Sequence, residues 1–121
     1  MAKEKPDGLK DYKPVYVIEE KAEDGRLLAR GKFKHGMLIK GVKHLDFEMV
    51  EALSEDNFNA EKDASANNVL TFNGALMALQ LRKVGTFDGP FTLDLIGRLK
   101  PGDYNRLRAA QMELDVLGEG E

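Results

Sequence analysis

The chain has 121 residues, with 18 basic against 21 acidic side chains and a net charge of −3. That length suits one domain with a real core, and the charge balance disfavours a dedicated nucleic-acid binder, which carries a basic excess. Cysteine is absent, so disulfide scaffolds, thiolate zinc sites and cysteine nucleophiles are excluded.

Residues 1–14 interleave Lys3, Lys5, Lys10 and Lys13 with Glu4, Asp7 and Asp11, and Pro6, Gly8 and Pro14 interrupt them. They are expected to form a flexible tail that buries little. With no apolar h-region before Lys13, no signal peptide is expected there. No run in the chain approaches the roughly 18 apolar residues of a membrane span, so the expectation is a soluble, intracellular protein.

Val15–Lys21 is rich in β-formers and predicts a strand. Asp24-Gly25 supplies the hairpin turn, and Arg26–Lys34 the return strand, with Leu27, Ala29 and Phe33 alternating onto one face. Gly31 falls on that same face and suggests a bulge or bend. Met37–Lys40, between Gly36 and Gly41, is a candidate third strand.

Asp46 has the place of an N-cap for a helix reaching Ser54, with Phe47, Val50 and Leu53 on one face. Glu48 and Glu51 then suit its early turns. Glu55–Asn67 is polar, with Phe58 its lone large apolar residue. It predicts a long mobile loop.

From Val69 to Val84 the apolar pattern has two stripes. Val69, Phe72, Leu76 and Leu79 make one helix face; Leu70, Met77, Leu81 and Val84 make a second, turned by about 100°. Burying the second set fully would contribute roughly 6–12 kcal/mol as an upper bound, against whole-domain stabilities of about 5–15 kcal/mol. Either those four side chains form a partner or self-association surface, or they pack beneath the hairpin and the last helix. Gly74 inside this helix marks either a close approach by another backbone or simple tolerance of a glycine, Lys83 suits its C-terminal end, and Gly85 is placed as its C′ residue.

Gly85–Pro90 predicts a turn, and Thr92 caps a short helix over Leu93–Leu99. Pro101 opens the last helix, where a missing N–H costs nothing. Asp103 lies in its first turn, and Leu99 and Tyr104 have the spacing of a hydrophobic staple. Tyr104, Leu107, Ala110, Leu114 and Leu117 form its core-facing stripe, and Gly118 ends it. The fold class is therefore α+β: an N-terminal antiparallel β-hairpin or three-stranded meander followed by about four helices. Residues 15–117 form the single domain, and 118–121 a C-terminal tail.

No catalytic constellation accompanies these elements. His44 with Asp46 and Glu48 offers ligand chemistry, but Asp46 is better used as a cap, so no metal or cofactor site is assigned. Glu19/Glu20 and Glu23/Asp24 border a turn without the apolar setting that tunes an acid–base pair. Ser54 and Ser65 lack a nucleophile context. Gly85 and Gly89 lack the lysine of a phosphate loop. Lys32, Lys34, Lys40 and Lys43 make a modest basic strip that suits a lysine-protected sheet edge better than a nucleic-acid face.

The element order resembles the tail assembly chaperones of Mu-like contractile-tailed phages and prophages. The likeness lies in the strand–Asp24-Gly25–strand opening, in Leu45-Asp46-Phe47-Glu48-Met49-Val50-Glu51-Ala52-Leu53, and most clearly in Phe91-Thr92-Leu93-Asp94-Leu95-Ile96-Gly97-Arg98-Leu99 followed by Pro101-Gly102-Asp103-Tyr104 and Leu107. The polar N-terminal tail and the Glu55–Asn67 insertion depart from the family pattern. The resemblance implies a non-enzymatic protein of the host bacterial cytoplasm that binds the tape measure protein, and in some cases tail tube subunits, before the tail polymerises. The alternatives are a structural tail component that stays in the virion and a small single-stranded nucleic-acid-binding module.

Overall fold

The computed structural model describes residues 16–21, 23–63 and 68–119; residues 1–15, including the expected tail, lie outside them. Among the described residues the chain forms β1 (Tyr16–Lys21), β2 (Leu27–Ile39), β3 (Val42–Val50), α1 (Ser54–Asp63), α2 (Val69–Gln80), β4 (Leu81–Val84), α3 (Leu93–Gly97) and α4 (Pro101–Glu119). The fold is α+β, as expected: an antiparallel β1-β2-β3 meander followed by helices. β4 extends the sheet to the order β1-β2-β3-β4.

The hairpin over Asp24-Gly25 is present, with Ile18 opposite Ala29 and Lys21 opposite Leu27. The Asp24 carboxylate ties its turn to two arginines. It accepts from Arg26 Nε at 2.9 Å and lies 3.1 Å from the Arg82 guanidinium. The side-chain bond from Arg26 is the main reason its pKa falls from 3.8 to about 2, against the opposing effect of desolvation. The fold therefore favours the ionised form. Its stabilising contribution is complete above pH 3.8 and is lost as the pH falls towards about 2. A carboxyl NMR titration is expected to place the Asp24 midpoint near that lower value, and Asp24→Asn is expected to remove this part of the acid sensitivity.

β2 is longer than expected. Met37–Ile39 continues it rather than forming a separate strand, and the chain reverses at Lys40-Gly41, with φ 52° and 81°. Positive φ at both positions is the mark of a two-residue hairpin turn whose twist matches the flanking strands. Phe47 pairs with Gly31 in the ladder, and its ring meets Phe33 at a centroid distance of 4.9 Å.

Residues 42–50 correct the helix expected from Asp46. They form β3, between β2 and β4, and Asp46 faces Lys32 across the ladder instead of capping a helix. Phe47, Val50 and Leu53 have helical spacing, but Phe47 and Met49 alternate into the core as strand residues do. Glu48 pairs with Arg30, and Glu51 accepts the Leu27 N–H at 2.9 Å.

Residues 54–63 correct the expected loop. They form α1, opened by the Asp56 carboxylate accepting the Leu53 N–H at 2.9 Å, the returning half of a capping box. Its polar sequence conceals it: among the described residues of α1 Ala60 is the buried one, clustered with Ala75 and Leu76 of α2. Residues 64–67 lie outside the described set.

The two-stripe helix also ends earlier than expected. Asn68 caps it, accepting the Thr71 N–H at 3.0 Å, but α2 stops at Gln80 and Leu81–Val84 cross into β4 beside β3. Lys83 lies opposite Glu48 in the sheet, not at a helix end. Gly85 is a turn residue with φ 62°, and its N–H donates to the Asp46 carbonyl at 2.8 Å. A Cβ there would collide with the His44 imidazole. Gly85→Ala combines left-handed strain with that clash and is expected to cost about 1–3 kcal/mol in chemical denaturation.

The core lies between the sheet and the helices. β2 contributes Leu27, Ala29, Phe33, Met37 and Ile39; β3 Phe47 and Met49; α2 Met77; α3 Ile96; and α4 Leu107, Ala110 and Leu114. Leu99 belongs to this core and Tyr104 packs against it. α4 runs past Gly118 to Glu119, and Leu117 is largely exposed, so the core stripe ends at Leu114.

Candidate functional site

Two polar constructions fix the helices against the sheet. The first is Asp103, fully buried in the first turn of α4. Its carboxylate accepts the backbone N–H groups of Lys34, His35 and Gly36 at 2.7, 2.8 and 2.9 Å, and Arg106 Nε lies 3.5 Å from Oδ1. These three residues sit where the β2–β3 register shifts, between the Lys32–Asp46 and Met37–His44 pairs. Asp103 thus satisfies donors that the bulge removes from the ladder.

The second is a buried amide chain. Gln80 Nε2 donates to the Val50 carbonyl at 2.9 Å, Gln111 Nε2 donates to Gln80 Oε1 at 2.7 Å, and Arg108 donates to Gln111 Oε1 at 2.8 Å. It joins the end of β3, the end of α2 and the middle of α4. Both constructions serve the fold: Asp103 fixes α4 to β2, and the Gln80–Gln111 bond ties α2 to α4.

Between the first turns of these two helices lies an apolar cleft of about 350 Å³. α2 supplies Leu70, Thr71 and Gly74, α3 supplies Leu93, Ile96 and Gly97, and Leu99 leads into Pro101, Tyr104 and Asn105 of α4. That volume sits at the low end of the roughly 300–1,000 Å³ typical of ligand pockets. Gly74 keeps the floor open: a Cβ there would lie 3.0 Å from Leu93 Cδ1. The close approach hinted at by this glycine comes from α3 side chains, not from a backbone. The Tyr104 hydroxyl donates to the Leu70 carbonyl at 2.8 Å, and burial raises its pKa above 10.0. Among the described residues the lining carries no carboxylate, imidazole or ammonium group, so the surface is suited to apolar contact.

The four residues of the second stripe are separated by the fold. Met77, Leu81 and Val84 are 0%, 5% and 0% exposed and belong to the core, whereas Leu70 is 65% exposed at the rim of the cleft beside exposed Val69. The four do not share one helix face, because α2 ends before Leu81 and only Leu70 and Met77 lie in it. The remaining lining residues escaped notice in the sequence because Leu93, Ile96 and Tyr104 have ordinary core spacing; Gly74 was the one visible signal.

His44, Asp46 and Glu48 do not gather around one point: His44 lies against Gly85, Asp46 is 3.5 Å from Lys32, and Glu48 is 3.6 Å from Arg30. Among the described residues, no group of three or more His, Asp or Glu side chains is arranged to hold a metal ion. Lys32 of the basic strip is thus matched by an acid on the same sheet face. Among the described residues no helix is long and apolar enough to cross a membrane. Comparison with known protein families, curated proteins and solved structures finds no match.

Proposed function

We propose that this protein is a non-enzymatic tail assembly chaperone of a Mu-like contractile-tailed phage or prophage, acting in the host bacterial cytoplasm. In this reading it binds the tape measure protein before tail polymerisation, and tail tube subunits are a second partner. The observation that carries the reading is a coincidence of position. The segment with the clearest family resemblance, Phe91–Leu99 and Pro101–Tyr104, supplies much of the apolar cleft. A tape measure protein is a long helical chain whose apolar surface needs cover until the tube encloses it. Helix-in-groove recognition uses apolar anchors at i, i+3, i+4 and i+7 seated in a cleft of this kind.

The test is to look for a long helical tape-measure reading frame downstream of this gene and to co-express its product with this protein. Co-purification of the two is expected, and Leu70→Asp is expected to abolish it while leaving the melting temperature unchanged. A folded Leu70→Asp protein that still captures the tape measure protein would exclude the cleft as its seat. Mass spectrometry of purified particles separates the chaperone from a structural tail component, since a chaperone is absent from the finished virion.

A further inference from the structure

Asp7-Gly8, Asp24-Gly25, Asn73-Gly74 and Asp88-Gly89 are pairs in which glycine follows an aspartate or asparagine. Such pairs rearrange without an enzyme. Glycine has no Cβ, so its backbone nitrogen is open to attack the side-chain carbonyl of the residue before it. Asp7-Gly8 lies outside the described residues, and the fold treats the other three differently. Asn73-Gly74 is inside α2, with Gly74 buried and the helical ladder holding its nitrogen. Asp24-Gly25 is exposed but guarded. Arg26 and Arg82 hold one carboxylate oxygen at 2.9 and 3.1 Å, and the other accepts the Arg26 N–H at 3.3 Å. The same contacts lower its pKa from 3.8 to about 2. At neutral pH this cuts the protonated carboxyl, the form that loses water, by more than about tenfold. Asp88-Gly89 has neither protection. It lies outside any helix or strand, in the connection between β4 and α3, and Asp88 is exposed. Among the described residues the Asp88 carboxylate takes part in no side-chain hydrogen bond or ion pair, and the Gly89 N–H in no backbone hydrogen bond.

We propose that Asp88 is a site of spontaneous isoaspartate formation, and that among the described residues it is the pair the fold leaves open to this chemistry. The Gly89 nitrogen attacks Cγ of Asp88 and forms an N–Cγ bond. The carboxyl hydroxyl leaves as water with the amide proton, and a five-membered succinimide closes. Water then opens the ring. Breaking the N–Cγ bond restores aspartate, whereas breaking the bond from nitrogen to the Asp88 main-chain carbonyl carbon leaves Gly89 joined through Cγ. The product is an isoaspartate of unchanged mass, and water is the only co-reactant. It adds one carbon to the main chain between Phe87, which is bonded to Val84 in both directions at 2.9 Å, and Phe91, whose ring meets that of Phe87 edge to face at 5.2 Å. This inference does not depend on the cleft or on the proposed chaperone role.

Ageing the full chain for several weeks at body temperature and neutral pH tests it, with peptide mass spectrometry by electron-transfer dissociation to read isoaspartate at each position. Labelling by an isoaspartyl methyltransferase, which esterifies the freed main-chain carboxylate, gives an independent count. In the folded protein, isoaspartate is expected to accumulate at Asp88 at least about tenfold faster than at Asp24. In guanidinium chloride, where the arginine contacts are lost, the two rates are expected to converge. Asp88→Glu is expected to abolish labelling of that peptide, because the extra methylene would require a six-membered ring. An unmodified Asp88 after ageing overturns the inference, as does modification of Asp24 or Asn73 in the folded protein at an equal or greater rate. A preference for Asp88 over Asp24 that persists undiminished in guanidinium chloride overturns it too, since the local sequence rather than the fold would then set the site.

Discussion

Asp103→Ala is expected to lower the unfolding free energy by about 3–5 kcal/mol, a large share of the roughly 5–15 kcal/mol of a typical domain. The loss has two parts. Three short hydrogen bonds to a charged acceptor disappear, each worth about 1.5–3 kcal/mol before any rearrangement. The Lys34, His35 and Gly36 N–H groups then lose their acceptor beneath α4, within a bulge whose ladder bonds are already interrupted. Asp103→Asn should recover little, because one amide oxygen cannot serve three donors and its NH₂ would face N–H groups. Urea denaturation measures the loss, and hydrogen exchange localises it. In the wild type, the amides of Lys34, His35 and Gly36 are expected to exchange as slowly as core amides. A loss below about 1 kcal/mol for Asp103→Ala would show that the bulge is held by other contacts.

That role also shows what the sequence conceals. Asp103 reads locally as a favourable charge in a first helical turn, and nothing near it announces a bond to residues almost seventy positions away. Elements specified by their own residues were legible: the Asp24-Gly25 hairpin, the Thr92 cap, and α4 with Pro101 at its start. Elements specified by their neighbours were not. Phe47, Val50 and Leu53 imitate a helix face, but strands on both sides claim residues 42–50 for the sheet. α1 has too few apolar residues to show a stripe; it is seated by Ala60 in a small cluster with Ala75 and Leu76, and by the Arg26–Asp56 ion pair. Tertiary pairing outweighs local propensity in both cases. The cleft was less legible still. Of the four residues read as one face, Leu70 alone reaches its rim. Its walls come from three helices whose approach depends on Gly74, Asp103 and the Gln80–Gln111 bond.

Leu81→Asp and Leu70→Asp turn that separation into a paired experiment, because the same substitution meets opposite surroundings. Leu81 is 5% exposed, lies opposite Met49 in the sheet and packs in the main core. An aspartate there must either ionise without a partner or take up a proton at a cost, and it also removes a buried leucine side chain. The combined penalty is at least about 5 kcal/mol, enough to abolish a melt near the wild-type temperature and to unfold a domain at the low end of the usual stability range. Leu70 projects from the first turn of α2, 65% exposed. Aspartate near that helix N-terminus also meets the favourable end of its dipole, so the stability change is expected to stay within about 0.5 kcal/mol. Circular dichroism melts of the two variants decide the matter. A cooperative transition near the wild-type temperature for Leu81→Asp would mean that β4 is not an integral strand of the sheet. A large loss for Leu70→Asp would mean that the cleft rim is part of the core and is not free to receive a partner. With Leu81→Asp unfolded and Leu70→Asp intact, the apolar pattern of 69–84 divides at Gln80. Beyond it the pattern builds the sheet, and before it Leu70 is left at the surface.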